Sequence, residues 1–563
     1  MSARTAWQLL STVQERAPEA LESVLADPTV MAWALRLSRR LGRPADGTSS
    51  AAPLWADLGQ FHALAAAAAL LAGVPCALRV PAHRGMVWLP GAGMAGPVAR
   101  RRWSEAEIRV DAEGAVVRGE RGNVSLHRAR PARVPERAPG WFPLRRLRAA
   151  DGVTECGPWL DMVSPYRDFT RYPRSPDRMD DRRFRVWETR LADAYALLDR
   201  ESPAEATALG AMVRALVPRS FSTAEGGLVA SASSLDAFGL VTLSLPHDET
   251  QTAAILVHET RHQQLNALLS LVKLVRIPVD ADGTPAAQRR LHFAPWRSDP
   301  RPVRGLLHGV FAFAGVGRFW LAHRGHVTGT EAQRADFEFA VLREQLGEAV
   351  AALLGDEDLT EEGRLFVGEV ARTVAAWEGE DVAAAPAALA RHHCALRRAV
   401  WRARHLELPA SVADRFARAW TAGAAAPELP PSTLRPRPEL IRPDTFGSLA
   451  RLRLSAPTAF TRRRRRADSA GEFVLRAGAA AVAGDAEEAV RGYARWAARD
   501  PSDPEAWIGA ALALPDPDRS AGTALLLERP EAVRGVLRAL EAAGDSRCPA
   551  PGEIAGWLGG SRD

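Results

Sequence analysis

The chain has 563 residues, which is too long for one compact core and predicts two to four domains. Hydrophobic residues make up 47% and charged residues 25% of the sequence, as in soluble globular proteins, and these proportions exclude global disorder. The formal net charge is +6, but 73 basic residues interleave with 67 acidic ones, so the charge balance predicts no nucleic-acid partner.

The sequence also predicts where the protein resides. The first residues, MSARTAWQLL, lack the charged segment, apolar core and cleavage site of a secretion signal. The longest apolar stretch, around residues 64–78, contains Gly and Pro and is too short to span a bilayer. The four cysteines lie far apart and are expected to be buried thiols. We therefore expect a cytoplasmic protein without a membrane segment.

Residues 1–170 are predicted to form a mixed α/β region. Apolar residues at helical spacing predict helix between residues 5 and 41 and again over residues 54–72. Short runs of alternating polarity over residues 75–90 and 106–124 predict strands.

Residues 171–426 are predicted to form a second, mainly helical domain with a small sheet. The apolar spacing predicts two helices between residues 180 and 217, separated near residue 202. Strands are expected over residues 227–231 and 239–245, and Pro246-His247-Asp248 then opens another helix.

Residues 427–445 are rich in proline, cannot continue a helix and predict a linker. Residues 446–563 are then a helical module. Predicted helices at 470–483 and 486–498, joined by Gly484-Asp485, match a unit of about 34 residues like a tetratricopeptide repeat. Because one such unit does not form a stable solenoid, this module is expected to pack on neighbouring helices. The predicted fold class is mainly α, with a minor β component (α+β).

A motif of two histidines, His258-Glu259-Thr260-Arg261-His262, lies in the helix that follows the predicted strands. Residues four apart share one face of a helix, so both imidazoles can reach a single cation, with Glu259 beside them. With 13 histidines in 563 residues, roughly 0.02 such motifs are expected by chance. The motif predicts a metal site more strongly than it predicts two core histidines. Asn266, one turn further along, is a candidate to orient a ligand, and the alternative is an ordinary polar core residue.

A metal ion needs at least a third protein ligand. His308 is the preferred candidate, because it lies in the apolar run 306–313, where an unpaired imidazole is costly to bury. A purely structural role for His308 is the alternative. His323 and His326, at the end of that run, are also candidates but are expected to be exposed. The remaining candidates are His292, Glu338 and Glu344.

The segment 294–302, APWRSDPRP, leads into that apolar run and contains Arg297 and Arg301. Arginine binds carboxylates through paired hydrogen bonds, so either side chain is a candidate to hold an organic diacid. Because arginine is common throughout the chain, an ordinary salt bridge explains each of them nearly as well. Glu338 and Arg343, in a later predicted buried helix, are further candidates, and a salt bridge between the two is the alternative explanation.

Several segments occur in the same order in a known family, and the chain resembles the 2-oxoglutarate-dependent HExxH-type peptide β-hydroxylases. The segments are Pro165-Tyr166-Arg167-Asp168-Phe169, Ser233-Ser234-Leu235-Asp236-Ala237-Phe238-Gly239, Leu256 to His262, Leu265-Asn266-Ala267-Leu268, Ala294-Pro295-Trp296-Arg297 and Leu306-Leu307-His308-Gly309. The resemblance extends along the whole chain, and its motifs are concentrated between residues 227 and 345. The family's Asp-Pro-Tyr is replaced here by Ser164-Pro165-Tyr166.

The resemblance implies a non-haem iron(II) enzyme that uses 2-oxoglutarate and dioxygen to hydroxylate a ribosomally synthesised precursor peptide. His258, His262 and His308 would be the metal ligands, and Glu259 would orient a ligand or tune charge. Members of the family are encoded in gene clusters for modified peptides, often beside a radical-SAM maturase, which is an implied partner.

Two other functions remain open from the residues alone. The motif is commonest in zinc peptidases, in which Glu259 would deprotonate a zinc-bound water and His308 or Glu338 would complete the site. A non-catalytic helical scaffold that binds a peptide through the C-terminal module is the other alternative. It leaves the histidine pair unexplained.

Overall fold

In a computed structural model of the chain, the structure describes most of the sequence and divides it into two compact units, residues 1–268 and 269–563. The described residues are 2–42, 52–127, 138–147, 157–168, 172–177, 179–219, 231–277, 290–435, 444–470, 472–515, 520–544 and 549–560. Within them the chain is mainly helical with five small sheets, as predicted. The predicted four-part division of the chain stays a prediction.

The first unit combines helices with three of the sheets. Its helices are α1 (Ala3–Arg16), α2 (Pro18–Leu25), α3 (Pro28–Leu41), α4 (Leu54–Ala72), α5 (Asp181–Glu201), α6 (Pro203–Met212) and α7 (Glu249–Leu271), the last of which runs past the unit boundary. Its strands are β1 (Cys76–His83), β2 (Val87–Leu89), β3 (Gly93–Ala95), β4 (Trp103–Val110), β5 (Gly114–Gly119), β6 (Gly122–His127), β7 (Trp141–Pro143), β8 (Arg145–Arg146), β9 (Trp159–Leu160), β10 (Ala215–Pro218), β11 (Ser231–Ser233) and β12 (Leu240–Leu243).

Helix α4 forms the centre of this unit and packs against α1, α2 and the four-stranded sheet β1-β4-β5-β6. Its run of alanines, residues 65–69, is fully buried, because side chains of one methyl group let a helix approach its neighbours closely. The predicted bounds of this helix are confirmed. The second helix predicted between residues 180 and 217 ends at Met212 instead, because residues 215–218 form strand β10.

The sheet that carries the motif helix has the strand order β11-β12-β10-β9-β8. Strands β10 and β12 are parallel, and β11 pairs antiparallel with β12 at the edge. The chain leaves β12 at Leu243 and enters α7 at Glu249, so the motif helix follows a strand, as predicted. Of the predicted strand 227–231, residues 227–230 lie outside the described residues.

The second unit is an assembly of helices with two short strand pairs. Its helices are α8 (Val303–Arg324), α9 (Gly329–Leu354), α10 (Glu361–Ala375), α11 (Ala384–His405), α12 (Ala410–Thr421), α13 (Thr445–Ser455), α14 (Pro457–Ala470), α15 (Phe473–Ala483), α16 (Ala486–Arg499), α17 (Pro504–Ala513), α18 (Ala521–Glu528), α19 (Pro530–Ala542) and α20 (Pro551–Gly559). The strand pairs are β13 (Leu291–His292) with β14 (Arg301–Pro302), and β15 (Leu406–Glu407) with β16 (Thr433–Leu434).

One hydrophobic core joins the C-terminal helices to the rest of the second unit. It contains Phe337 of α9 and Leu389 of α11 together with Val482 of α15 and Trp507 of α17. The predicted helix, turn and helix around Gly484 are confirmed as α15 and α16. The expectation that this module packs on neighbouring helices is therefore confirmed, whereas its kinship with a tetratricopeptide repeat stays a prediction.

Two described helices, α4 and α8, are long and apolar enough to cross a membrane by length and composition. Their most apolar windows are 78% and 61% buried inside the protein, which is typical of core helices in soluble proteins. The apolar stretch over residues 64–78 is divided in the structure between the end of α4, a turn at Gly73 and the start of β1.

The side chain of Glu531 on α19 ties three parts of the second unit together. It accepts hydrogen bonds from Arg402 of α11 at 2.6 and 3.2 Å, from Arg529 at 3.0 Å and from Ser432 in the proline-rich segment at 3.0 Å. The carboxylate is fully buried. Removing one partner of such a network leaves buried charge uncompensated.

We predict that Glu531→Ala lowers the free energy of unfolding of this unit by about 3–5 kcal/mol, measured by urea denaturation. Glu348→Ala is the matched control, because Glu348 makes a bidentate pair with Arg398 on the same helix, α11, but both side chains are at least one-third exposed. The control should cost less than about 1 kcal/mol. Equal losses for the two variants would contradict the account.

Candidate metal centre

Helix α7 begins just after the sheet, where Asp248 accepts a hydrogen bond from the backbone N–H of Gln251 at 2.6 Å. This interaction satisfies one of the free N–H groups at the start of the helix. The helix then runs without a break to Leu271. The motif therefore lies in its middle, where the backbone is regular and the spacing of four residues places both histidines on one face.

The structure brings His258 and His262 together. Their Nε2 atoms are 3.0 Å apart, and the two rings meet edge to face, with an interplanar angle of 88°. Two nitrogens bound to one cation at about 2.1 Å are about 3.0 Å apart at a right angle and about 3.4 Å apart at the tetrahedral angle. The pair thus has a separation suited to binding one cation, and it equally permits an N–H···N hydrogen bond when no cation is present.

Both imidazoles are held in the neutral form, which is the form that binds metals. Burial lowers the pKa of His258 to about 4. Burial and then the neighbouring His258 lower the pKa of His262 to about 4, against the opposing charge of Glu259. At neutral pH neither ring must lose a proton before it coordinates a cation.

Glu259 lies in the interior beside the pair and is 2% exposed. Its Oε1 accepts a hydrogen bond of 2.6 Å from the hydroxyl of Ser231, on the edge strand β11. Among the described residues, its Oε2 has no hydrogen-bond partner. One oxygen of the carboxylate therefore fastens the helix to the sheet, and the other is available to accept a proton or orient a ligand.

Two further side chains of α7 fix its position in the first unit. Gln263 is fully buried, accepts from the N–H of Gly239 at 3.3 Å and donates to the carbonyl of Leu240 at 3.3 Å. Arg261 forms a salt bridge with Glu205 of α6. These contacts hold α7 against the sheet on one side and against α6 on the other.

His308, the preferred third ligand, is partly buried on α8 in the second unit. Among the described residues, no group of three or more His, Cys, Asp or Glu side chains is assembled that could hold a metal ion. The structure therefore brings together two of the three predicted ligands, and the assignment of His308 stays a prediction.

The structure gives most of the other ligand candidates partners of their own. His292 Nε2 is 2.6 Å from Asp356, and Glu338 accepts two hydrogen bonds, at 2.6 and 3.0 Å, from Arg451. The alternative explanation, a salt bridge between Glu338 and Arg343, is therefore wrong. Arg343 instead donates to the backbone carbonyls of Trp377 and Glu380 at 3.1 and 2.8 Å.

Of the two histidines that follow the apolar run of α8, only His326 is exposed as expected. The expectation for His323 is wrong, because it is 2% exposed and stacks on Phe319. Its position one turn after Phe319 on the same helix face turns it inward. Glu344, the last candidate, has a raised pKa because of burial.

The two arginines that were candidates for binding a diacid share one carboxylate in the structure. Arg297 Nε donates to Asp299 Oδ1 at 2.7 Å, and Arg301 Nη1 donates to Asp299 Oδ2 at 3.2 Å. Arg297 and Asp299 lie in the loop between strands β13 and β14, and Arg301 is the first residue of β14. The sequence did not identify Asp299, although its place between two arginines was a signal for this pairing.

The same loop packs on helix α8 through Trp296. A Cβ atom on Gly309 would lie 2.2 Å from Trp296 Cζ2, and the Trp296 ring centroid is 4.8 Å from that of Phe313. Only glycine at position 309 therefore leaves room for the indole. This contact gives a structural reason why the segment with Trp296 and the segment with His308-Gly309 occur together in the sequence.

The remaining segments of the resemblance have structural contacts within the first unit. Tyr166 is 1% exposed and its hydroxyl lies 3.3 Å from Asp57 Oδ1, while Arg167, 2% exposed, donates to the carbonyls of Ser164 and Ser175. Phe169 lies outside the described residues. In the other segment, Asp236 forms a salt bridge with Arg39 of α3. The contacts described for both segments join parts of the first unit to one another, and none of them involves His258 or His262.

No family model and no curated protein matches this chain. The family resemblance thus rests on the quoted motifs alone.

We predict that Gly309→Ala lowers the stability of the second unit by about 1–3 kcal/mol, because the added methyl group forces Trp296 out of its place. Urea denaturation measures the effect. Gly347→Ala is the control, since Gly347 also lies inside a helix but a Cβ there meets nothing within 4 Å. That variant should gain about 0.5–1 kcal/mol. If Gly309→Ala stabilised the protein equally, the close packing of Trp296 would be refuted.

Proposed function

We propose that the protein is a non-haem iron(II)- and 2-oxoglutarate-dependent hydroxylase that acts on a ribosomally synthesised peptide. The observation that carries the proposal is the pair His258 and His262, with nitrogens 3.0 Å apart and pKa values near 4. Neutral imidazoles suit iron(II), and two histidines with one further ligand leave coordination positions open for cosubstrates. His308 is proposed as that further ligand.

Iron(II) held by His258, His262 and His308 would supply the activation of dioxygen, with 2-oxoglutarate as the source of two electrons. In the balanced reaction one oxygen atom enters a carbon–hydrogen bond of the peptide, giving an alcohol. The other enters 2-oxoglutarate, which loses carbon dioxide and becomes succinate. In this proposal Arg297 and Arg301 supply the guanidinium groups that bind the acid's carboxylate.

The contacts of Glu259 support a positioning role in this reaction. Its hydrogen bond with Ser231 holds α7 against the edge strand, and its negative charge favours electron-rich imidazoles beside it. Hydroxylation of a carbon–hydrogen bond needs no general base at this position. The proposal therefore assigns Glu259 to orientation of the histidine pair.

A zinc peptidase is the second candidate, and the Oε2 of Glu259, which has no hydrogen-bond partner in the described part of the chain, favours it. A buried carboxylate oxygen without a partner, one residue from a metal ligand, is what a general base for a zinc-bound water requires. The two candidates differ in metal, in cosubstrate and in the effect of removing the charge of Glu259.

We predict that anaerobically purified, iron-loaded protein converts 2-oxoglutarate to succinate and adds one oxygen atom to a precursor peptide encoded near its gene, as measured by mass spectrometry. His258→Ala should reduce both reactions more than about 100-fold, because it removes a metal ligand. His326→Ala, at an exposed histidine, should leave both unchanged. An unaltered peptide mass with iron, oxygen and 2-oxoglutarate supplied would contradict the proposal.

We further predict that Glu259→Gln keeps its metal and lowers hydroxylation by less than about 100-fold, because the amide still accepts the hydrogen bond from Ser231. Metal content and reaction rate are measured on the same preparation. In a zinc peptidase the same change would abolish peptide cleavage while zinc stays bound. That outcome would favour the peptidase over the hydroxylase as the function of the protein.

A further inference from the structure

The loop between strands β13 and β14 presents its charged side chains from a rigid frame. Its backbone carbonyls at Pro295 and Ser298 accept hydrogen bonds from Arg397 at 2.8 Å and His405 at 2.7 Å, both on helix α11. Trp296 anchors the loop to α8 through Gly309. Few backbone changes are available to such a loop, so its side chains are preorganised.

Positive charge is concentrated at the end of this loop. Arg297 and Arg301 flank Asp299, and Arg304 follows in the first turn of α8, which contains no acidic residue. The amino-terminal end of a helix itself carries partial positive charge. Asp299 contacts the guanidinium groups of Arg297 and Arg301, so two cations surround one carboxylate and a further anion is electrostatically favoured there.

The guanidinium of Arg301 also has unused hydrogen-bonding capacity. Its Nε is buried, and among the described residues it has no acceptor. The group lies flat against α8, since a Cβ on Gly305 would be 3.0 Å from that Nε. A buried N–H without an acceptor is unfavourable. A ligand oxygen that satisfied it would recover part of this cost.

The contacts of Asp299 show that the two arginines bind a carboxylate group. It bridges them with one oxygen to each, at 2.7 and 3.2 Å, and its side chain is 41% exposed. Rotation about its side-chain bonds can therefore move it into solvent without moving the backbone. The two guanidinium groups are then adjacent donors for another carboxylate.

We propose that Arg297 and Arg301 form a carboxylate clamp that Asp299 occupies in the ligand-free chain, and that a small dicarboxylic acid binds by displacing Asp299. The inference rests on the proposed function, because 2-oxoglutarate is such an acid. The inference adds that the Asp299 carboxylate competes with the acid for the two arginines and so weakens the binding of the acid. A clamp that is free one-tenth of the time binds its ligand about tenfold more weakly than an empty clamp.

The test is calorimetric titration of the metal-stripped, full-length protein with succinate and with 2-oxoglutarate. Asp299→Asn should bind both acids about tenfold more tightly than the natural chain, because the amide competes poorly for the arginines. Adding Arg301→Gln to Asp299→Asn should abolish the gain. Glu348→Gln, which removes a carboxylate from the Arg398 pair, is the matched control and should change neither affinity.

Two results would overturn the inference. One is equal or weaker binding by Asp299→Asn, which would make Asp299 an ordinary salt-bridge partner. The other is a gain that persists after Arg301→Gln, which would place the acid elsewhere. Circular dichroism of each variant verifies its fold. Because the titration needs neither metal nor turnover, a failure of hydroxylation would leave this result standing, and a failure here would leave hydroxylation standing.

Discussion

Two uncharged imidazole nitrogens held 3.0 Å apart on one helix face set the main constraint on the first unit. Such a pair works only if the helix is regular through both turns and cannot roll, because a small rotation would turn one ring away. The surrounding polar contacts meet this requirement. Gln263 holds the backbone of β12, Glu259 holds Ser231 on β11, and Arg261 holds Glu205 on α6.

In the second unit, side-chain packing positions the segment that carries the candidate arginines. The indole of Trp296 needs the missing side chain of Gly309, and the loop that carries Trp296 also carries Arg297, Asp299 and Arg301. The apolar contact of Trp296 with α8 therefore restrains the backbone from which the two arginine side chains extend. A hydrophobic contact with little freedom can thus fix charged groups that would otherwise be mobile.

Sequence patterns predicted the parts that depend on local spacing. The bounds of α4, the presence of strands within residues 75–90 and 106–124, and the strand followed by the motif helix all follow from apolar periodicity. The closeness of His258 and His262 follows from helix geometry alone.

The partners of charged side chains could not be predicted in this way, because they depend on how distant segments pack. Glu338 meets Arg451, which lies 113 residues away, and the nearer Arg343 turns to backbone carbonyls instead. The burial of His323 and the bond from Ser231 to Glu259 are likewise tertiary effects. Asp299 was within reach of sequence reasoning, since two arginines flank it within five positions.

Metal analysis combined with X-ray absorption of the anaerobically reconstituted protein tests the central claim most directly. The account predicts one iron per chain with imidazole ligands, and a loss of iron in both His258→Ala and His262→Ala while circular dichroism shows an unchanged helical content. If the natural chain bound no metal, or if both variants kept the same metal with the same imidazole signal, the histidine pair would not be a metal site and the account would be wrong.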